Sequence, residues 1–118
     1  MINRYAATLL LSISMLGQDL KSPDPKDRAK AVRAMREGGS TAISGLIPLL
    51  SDSDRDVRLE TVRTIVTIGT QHSLDPLITA TGDNDPEVQI RATDGLVNFY
   101  LPGYVVTGVA RFGSAIRG

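Results

Sequence analysis

Apolar and small residues recur at helical spacing along residues 54–69. Val57, Thr61, Thr64, Ile65 and Ile68 fall at i, i+4, i+7, i+8 and i+11, so they share one stripe of a helix with about 3.6 residues per turn. A shorter apolar stripe follows a break at residues 70–73 and holds Leu74, Leu77, Ile78 and Ala80. The segment therefore predicts a pair of helices.

The ends of the first predicted helix carry suitable residues. Asp54 precedes the stripe, where its carboxylate can accept from the unpaired backbone N–H groups of the first turn. Gly69 follows the stripe, at a position suited to a left-handed C-cap. Because Asp24 and Asp85 open similar segments, we predict that Asp24, Asp54 and Asp85 are structural caps.

The helix pair is repeated along the chain. The three aspartates that open the copies are separated by 30 and then 31 residues, and Asp52 maps on Asp83 at the second of these shifts. A fixed period in this range is typical of a solenoid of stacked helical units. We predict a repeat region over 18–100, with units at about 20–51, 52–82 and 83–100, the last of them partial.

The first and third copies follow the same plan with local changes. In the first copy Pro25 suits a first helical turn, and the glycine pair at 38–39 ends the helix. The apolar partner helix over 43–50 contains Pro48, which predicts a kink there or a start near Gly45. In the third copy the run Leu101-Pro102-Gly103 stops the helix.

These residues resemble the HEAT repeat, in its bacterial form also called the phycobilisome-lyase HEAT-like repeat. The second copy matches the family pattern at six positions, with Thr61 and Thr64 where the pattern has alanine: Asp54, Val57, Arg58, Ile65, Ile68 and Gly69. In the first copy Asp27 stands where the family pattern has valine, and in the third copy Gln89 stands where it has arginine. The resemblance implies an all-α, armadillo-like right-handed α-solenoid of HEAT-type antiparallel helix pairs, and a scaffold for other macromolecules.

Composition limits the function further. Thirteen basic and thirteen acidic residues cancel among 118, so no overall field favours nucleic acid or a membrane surface. The chain has two Phe, three Tyr and no Trp, which predicts an aliphatic core and few aromatic anchors for a partner.

Both ends depart from the repeat. Residues 1–17 place Arg4 before a short apolar run, which is the order of a secretory signal peptide; the alternative is an N-terminal capping helix. The first interpretation predicts export to the periplasm or outside the cell, and the second a cytoplasmic protein. The run is too short to span a bilayer. In the tail, residues 101–118, Val105, Val109 and Phe112 have helical spacing, which predicts either a further helix of a small adaptor or the truncated continuation of a longer protein.

Residues suited to catalysis or metal binding are few. His72 is the single histidine, and its sequence neighbours Ser73 and Asp75 do not make a triad, which needs convergence in space. The acidic turns at 52–56 and 83–87 start like calcium loops but lack the glycine and the glutamate that such loops require. We therefore predict no catalytic residue, no metal site and no cofactor, and assign the carboxylates to turns and caps.

Basic residues on the first helix have two interpretations. Lys26, Lys30 and Arg33 share a face at i, i+4 and i+7, as in a nucleic-acid contact, but no matching basic stripe continues on the later copies, which favours a solvated face. Arg28 and Arg58 occupy the same repeat position. We expect each to bond backbone or an acidic turn of an adjacent unit, so that the two arginines together form an inter-repeat ladder.

The sequence therefore predicts a non-catalytic scaffold or adaptor for protein–protein interaction, with a protein partner, no membrane span and no nucleic acid. One row of helices would line a concave face, while exposed side chains of the second row and the acidic turns would select the partner. We expect four polar residues outside the core: Glu60, Arg63, His72 and Arg91. Two alternatives stay open: an enzyme subunit resembling a phycobilin lyase, with a tetrapyrrole in the groove, and nucleic-acid binding through the first helix.

Overall fold

The computed structural model describes residues 19–104, and within this range every regular element is helical. The α-helices are α1 (Pro25–Ala34), α2 (Ile43–Leu46), α3 (Arg55–Ile68), α4 (Leu74–Ala80) and α5 (Pro86–Tyr100); short 3-10 helices occupy Met35–Ala42, Ile47–Ser51 and Gln71–Ser73. The all-α prediction is confirmed. The segment 1–17 and the tail beyond residue 104 lie outside the described residues.

The helices form two rows. In the first row α3 packs against α1 on one side and α5 on the other. The second row consists of α2 with the 3-10 helix Ile47–Ser51, which packs behind α3, and of α4, which packs against α3 and α5. Each unit therefore contributes a long first-row helix and a shorter second-row element, which is the arrangement of a helical solenoid.

The core between the rows is aliphatic. Val57, Ile65 and Val88 are fully inaccessible to solvent and Leu77 is 2% exposed, so the positions that repeat in sequence are sealed between neighbouring units. On α3 burial reaches beyond the predicted stripe to Leu59 and Val62. The reason is that α3 has a first-row neighbour on each side, so more than one stripe of it is covered.

Two apolar residues that the sequence places on core stripes lie at the surface. Ile47 is 48% exposed and Ile78 is 56% exposed, so their predicted core positions are wrong. The chain changes to 3-10 geometry at Ile47, next to Pro48, and Leu49 turns inward instead. In α4 the core takes Leu77 and Ala80, because so short a helix offers the core only a narrow face.

Two glycines have roles that other residues would not fill without rearrangement. Gly69 ends α3 in the left-handed region at φ 60°, ψ 32°, where side chains with a Cβ are strained. Gly95 lies where α5 crosses α3, and a Cβ added to it would stand 2.5 Å from Val66 Cγ2. The two first-row helices therefore pack tightly beside Val66.

Candidate functional site

The three predicted cap residues lie at the N-termini of the three first-row helices. The Asp24 carboxylate accepts from Lys26 N–H at 2.9 Å, and that of Asp54 from Val57 N–H at 3.0 Å. Asp85 accepts from the N–H groups of both Glu87 and Val88, at 3.0 and 3.1 Å. Each carboxylate thus accepts hydrogen bonds from first-turn backbone N–H groups that have no acceptor within the helix.

Arg28 and Arg58 connect successive units. Arg28 donates from Nε and Nη2 to both carboxylate oxygens of Asp52, at 2.9 and 3.0 Å, while its Nη1 donates to the backbone oxygen of Ser22 at 2.7 Å. The fork of a guanidinium matches a carboxylate in this two-bond geometry. One arginine therefore holds its own turn and the turn of the next unit together.

The second connection repeats the first. Arg58 Nε donates to Asp83 at 3.0 Å, Nη1 to the backbone oxygen of Asp52 at 2.8 Å, and Nη2 to the Asn84 amide oxygen at 3.3 Å. The side chains of Arg58 and Asp83 are only 14% and 8% exposed. We call the pairs Arg28–Asp52 and Arg58–Asp83 the arginine–aspartate ladder.

The third unit keeps half of this connection. Gln89 stands at the repeat position of Arg58, and its amide Nε2 donates to the backbone oxygen of Asp83, as Arg58 does to Asp52. An amide lacks the charge and the reach of a guanidinium fork. Gln89 therefore holds its own turn, and among the described residues the ladder has two rungs.

The ladder corrects one expectation about binding. Asp52 and Asp83 are 9% and 8% exposed, and each also accepts from the backbone N–H two residues later, of Asp54 and Asp85 respectively. Asp85 in turn is bonded by Arg55 at 2.9 Å. The expectation that the acidic turns select a partner is wrong for these carboxylates, because bonds within the chain already occupy them.

The ladder also makes stability depend on pH. Burial opposes the ionisation of Asp52, but hydrogen bonds from Arg28 and from the Asp54 N–H, with the charges of Arg28 and Arg58, outweigh it and lower the pKa of this carboxyl. A lowered pKa in the folded state stabilises the fold above the unfolded value of about 3.9. That contribution is lost as pH falls through the lowered pKa.

We therefore expect Asp52→Asn to be less stable than the native chain at pH 7, and the difference to shrink below about pH 4. Urea midpoints measured from pH 7 to pH 3 test this. Asp75→Asn, which removes an exposed carboxylate of α4 outside the ladder, is the control. A difference between native chain and Asp52→Asn that stays constant over this range would contradict the assignment.

A polar concavity lies on the outer face of the first row. It has a volume of about 380 Å³. We call it the arginine groove, and its lining comes from all three units: Arg33 of α1 with Arg36 of the 3-10 helix Met35–Ala42, Glu60, Arg63, Thr64, Val66 and Thr67 of α3, and Arg91, Asp94, Gly95 and Asn98 of α5.

The groove is built from repeat-equivalent positions. Glu60, Arg63 and Thr67 are spaced i, i+3 and i+7 on α3, and the corresponding residues of α5 are Arg91, Asp94 and Asn98. On both helices these positions are half-buried or exposed and lie outside the core. The basic face of Lys26, Lys30 and Arg33 is not repeated on the later copies, but single arginines of those copies, Arg63 and Arg91, join Arg33 along one surface. The signal in the sequence was the polar i, i+3, i+7 pattern at the repeat period.

Lys26 and Lys30, the other members of the predicted basic face, do not line the arginine groove. Both are exposed. His72 is exposed in the 3-10 helix Gln71–Ser73, and the buried Ser73 hydroxyl donates to the backbone oxygen of Ile65 at 3.0 Å. His72 and Ser73 therefore do not form a nucleophile–base pair.

Among residues 19–104, no group of three or more His, Cys, Asp or Glu side chains is placed to hold a metal ion. No helix there has the length and apolar character needed to cross a bilayer.

Comparison with known proteins adds a family. The family model described as HEAT repeats matches residues 13–101, which is well over half of the chain and includes all three first-row helices. No curated protein matches the chain.

Proposed function

The chain belongs to the HEAT-repeat family, and from that premise we propose that it is a non-catalytic module for protein–protein interaction whose partner lies along the arginine groove. HEAT repeats generally mediate protein–protein interactions. Solenoids offer partners extended surfaces that run across successive units. The groove is a surface of this kind, because α1, α3 and α5 all contribute to it.

One observation carries the proposal: the described residues include two sets of arginines with different surroundings. Arg28 and Arg58 are mostly buried in the ladder and bonded at 2.7–3.0 Å to carboxylates and backbone of adjoining turns. The groove arginines Arg33 and Arg63 are about half exposed, at 54% and 45% of the side chain. Ladder arginines hold the fold together, whereas groove arginines remain available to a partner.

The same surface gives less support to a bilin-binding lyase. Sites for large conjugated ligands are mostly apolar and enclose the ligand, whereas the described lining of this groove contains six charged side chains and no aromatic one. Membership of the bacterial phycobilisome-lyase form of the family is a finer proposal, which rests on the pattern around Asp54, Val57 and Arg58. Export through residues 1–17 also stays a prediction.

Site-specific photo-crosslinking tests the proposed function. A benzophenone amino acid at Thr67, exposed in the groove, is expected to crosslink a protein in an extract of the source organism. The same group at Ile78, which is exposed on the second row, is the matched control and should crosslink less. Equal crosslinking at both positions, or none at Thr67, would remove the groove as the binding face.

A further inference from the structure

We propose that the arginine groove binds an acidic segment of its partner, a short stretch of chain with aspartate or glutamate side chains spaced to reach α1, α3 and α5. This inference rests on the proposed function and adds the chemistry of the ligand.

The groove has an excess of positive charge on a chain that has none overall. Its lining holds four arginines and two carboxylates: Arg33, Arg36, Arg63 and Arg91 with Glu60 and Asp94. The formal net charge of the whole chain is zero. A local excess of this sign attracts a negatively charged partner and orients it on approach.

The groove arginines also keep bonding capacity. Arg33 is 3.9 Å from Glu60, and Arg36 is 4.0 Å from Glu37, distances at which charges attract without a hydrogen bond. Arg63 reaches Glu60 at 3.3 Å and Glu87 at 3.7 Å. Arg91 has no ion pair or side-chain hydrogen bond with the described residues. Since a guanidinium has five N–H donors, carboxylates of a partner would find donors at each of the three helices.

The width of the groove sets the length of the segment. Packed helices lie about 8–10 Å apart, so α1 and α5 are separated by about 16–20 Å across α3. An extended chain advances about 3.3 Å per residue, and five or six residues span this distance. A segment with carboxylates near both ends would therefore contact Arg33 or Arg36 at one end and Arg91 at the other.

The lining favours an acidic peptide over a nucleic acid. Glu60 lies between Arg33 and Arg63 and disfavours a continuous phosphate backbone, whereas a peptide can place a neutral residue opposite it. Binding of single strands also uses aromatic side chains on which bases stack, and the described lining has none. Val66 and Gly95 give the centre of the groove a small apolar floor, suited to one aliphatic side chain.

Fluorescence anisotropy with a defined peptide tests the inference. The probe is a fluorescein-labelled peptide of ten residues with glutamates flanking a central leucine; the control peptide has glutamines in their place. We expect the glutamate peptide to bind the full chain and the glutamine peptide not to. Arg91→Glu should weaken binding at least about tenfold, and Arg36→Glu with Arg91→Glu further, because each reversal turns an attraction into a repulsion.

Lys30→Glu is the matched control, since it makes a similar charge reversal on α1 outside the groove. It should leave affinity within about twofold, apart from the general effect of net charge that added salt screens. Circular dichroism of each variant shows whether it is folded. No binding of the glutamate peptide, equal loss with Lys30→Glu and Arg91→Glu, or preference for a single-stranded oligonucleotide of the same charge would each overturn the proposal.

Competition separates this inference from the proposed function. Excess glutamate peptide should abolish the partner crosslink formed at Thr67. If the crosslink forms and the peptide does not reduce it, the interaction face stands and the acidic-segment inference fails. If the peptide binds in the groove but no protein crosslinks there, the proposed function fails.

Discussion

Replacing Ile65 by alanine is expected to lower the free energy of unfolding by about 3–4 kcal/mol, within the roughly 2–5 measured for such truncations. Ile65 is completely buried and belongs to the hydrophobic cluster that links both rows. Its removal leaves a cavity in the central helix, which has neighbours on both sides and cannot close it by moving toward one of them. A domain of this size is stable by roughly 5–15 kcal/mol, so the loss is a large fraction.

Two variants make the measurement of Ile65→Ala specific. Ile78→Ala removes the same atoms from a side chain that is 56% exposed, and it should change stability by no more than about 0.5 kcal/mol. Ile65→Val removes one methylene and should cost about 1 kcal/mol. Equilibrium urea unfolding measures all three. Equal losses for Ile65→Ala and Ile78→Ala would mean that α3 is not packed as described.

Replacing Arg58 by alanine is expected to cost about 2–3 kcal/mol, because the Asp83 carboxylate loses its charged partner and keeps only the Asp85 N–H as a donor, while the backbone oxygen of Asp52 loses its side-chain donor. A fully buried ion pair loses roughly 3–5 kcal/mol when one partner is removed. We expect a smaller loss of stability for Arg58→Ala because the Arg58 side chain is 14% exposed, so water can partly replace its hydrogen bonds. The effect should be on the stability of the junction between the second and third units.

Arg58→Gln tests which part of the connection matters. It copies the residue found at position 89, so it can keep the bond to the turn of its own unit and lose the bond to Asp83; we expect a loss between that of alanine and the native chain. Arg63→Ala, which removes a half-exposed arginine from the same helix, should change stability by less than about 1 kcal/mol. Similar losses for Arg58→Ala and Arg63→Ala in urea unfolding would exclude a special role for the ladder.

Local features of the fold were predictable from the sequence. The capping positions of Asp24, Asp54 and Asp85, the left-handed Gly69 and the break at Pro48 depend on residues within one or two turns, and backbone geometry restricts what each can do. The stop of α5 at Tyr100, just before Leu101-Pro102-Gly103, has the same origin.

Features that depend on the neighbouring unit were less predictable. The exposure of Ile78 and the burial of Leu59 follow from how far each helix is covered by others, which periodicity within one helix does not report. The partner of Arg28 is 24 residues away in sequence, so the ladder was expected in kind but Asp52 was not identified. The arginine groove was not predictable from the pattern of any one helix, because its lining combines side chains of three units.

The junctions of this protein are directional. Within residues 19–104, Arg28 of the first unit bonds Asp52 of the second, and Arg58 of the second bonds Asp83 of the third, while the third unit has Gln89 at this position. The middle unit is thus a self-complementary module. Consider an in-frame tandem copy of residues 53–83 inserted after Asp83. The arginine of the unit before it would find an aspartate at the first junction, and the arginine of the copy would find an aspartate at the second. The molecule could therefore be lengthened by whole units without the design of a new contact.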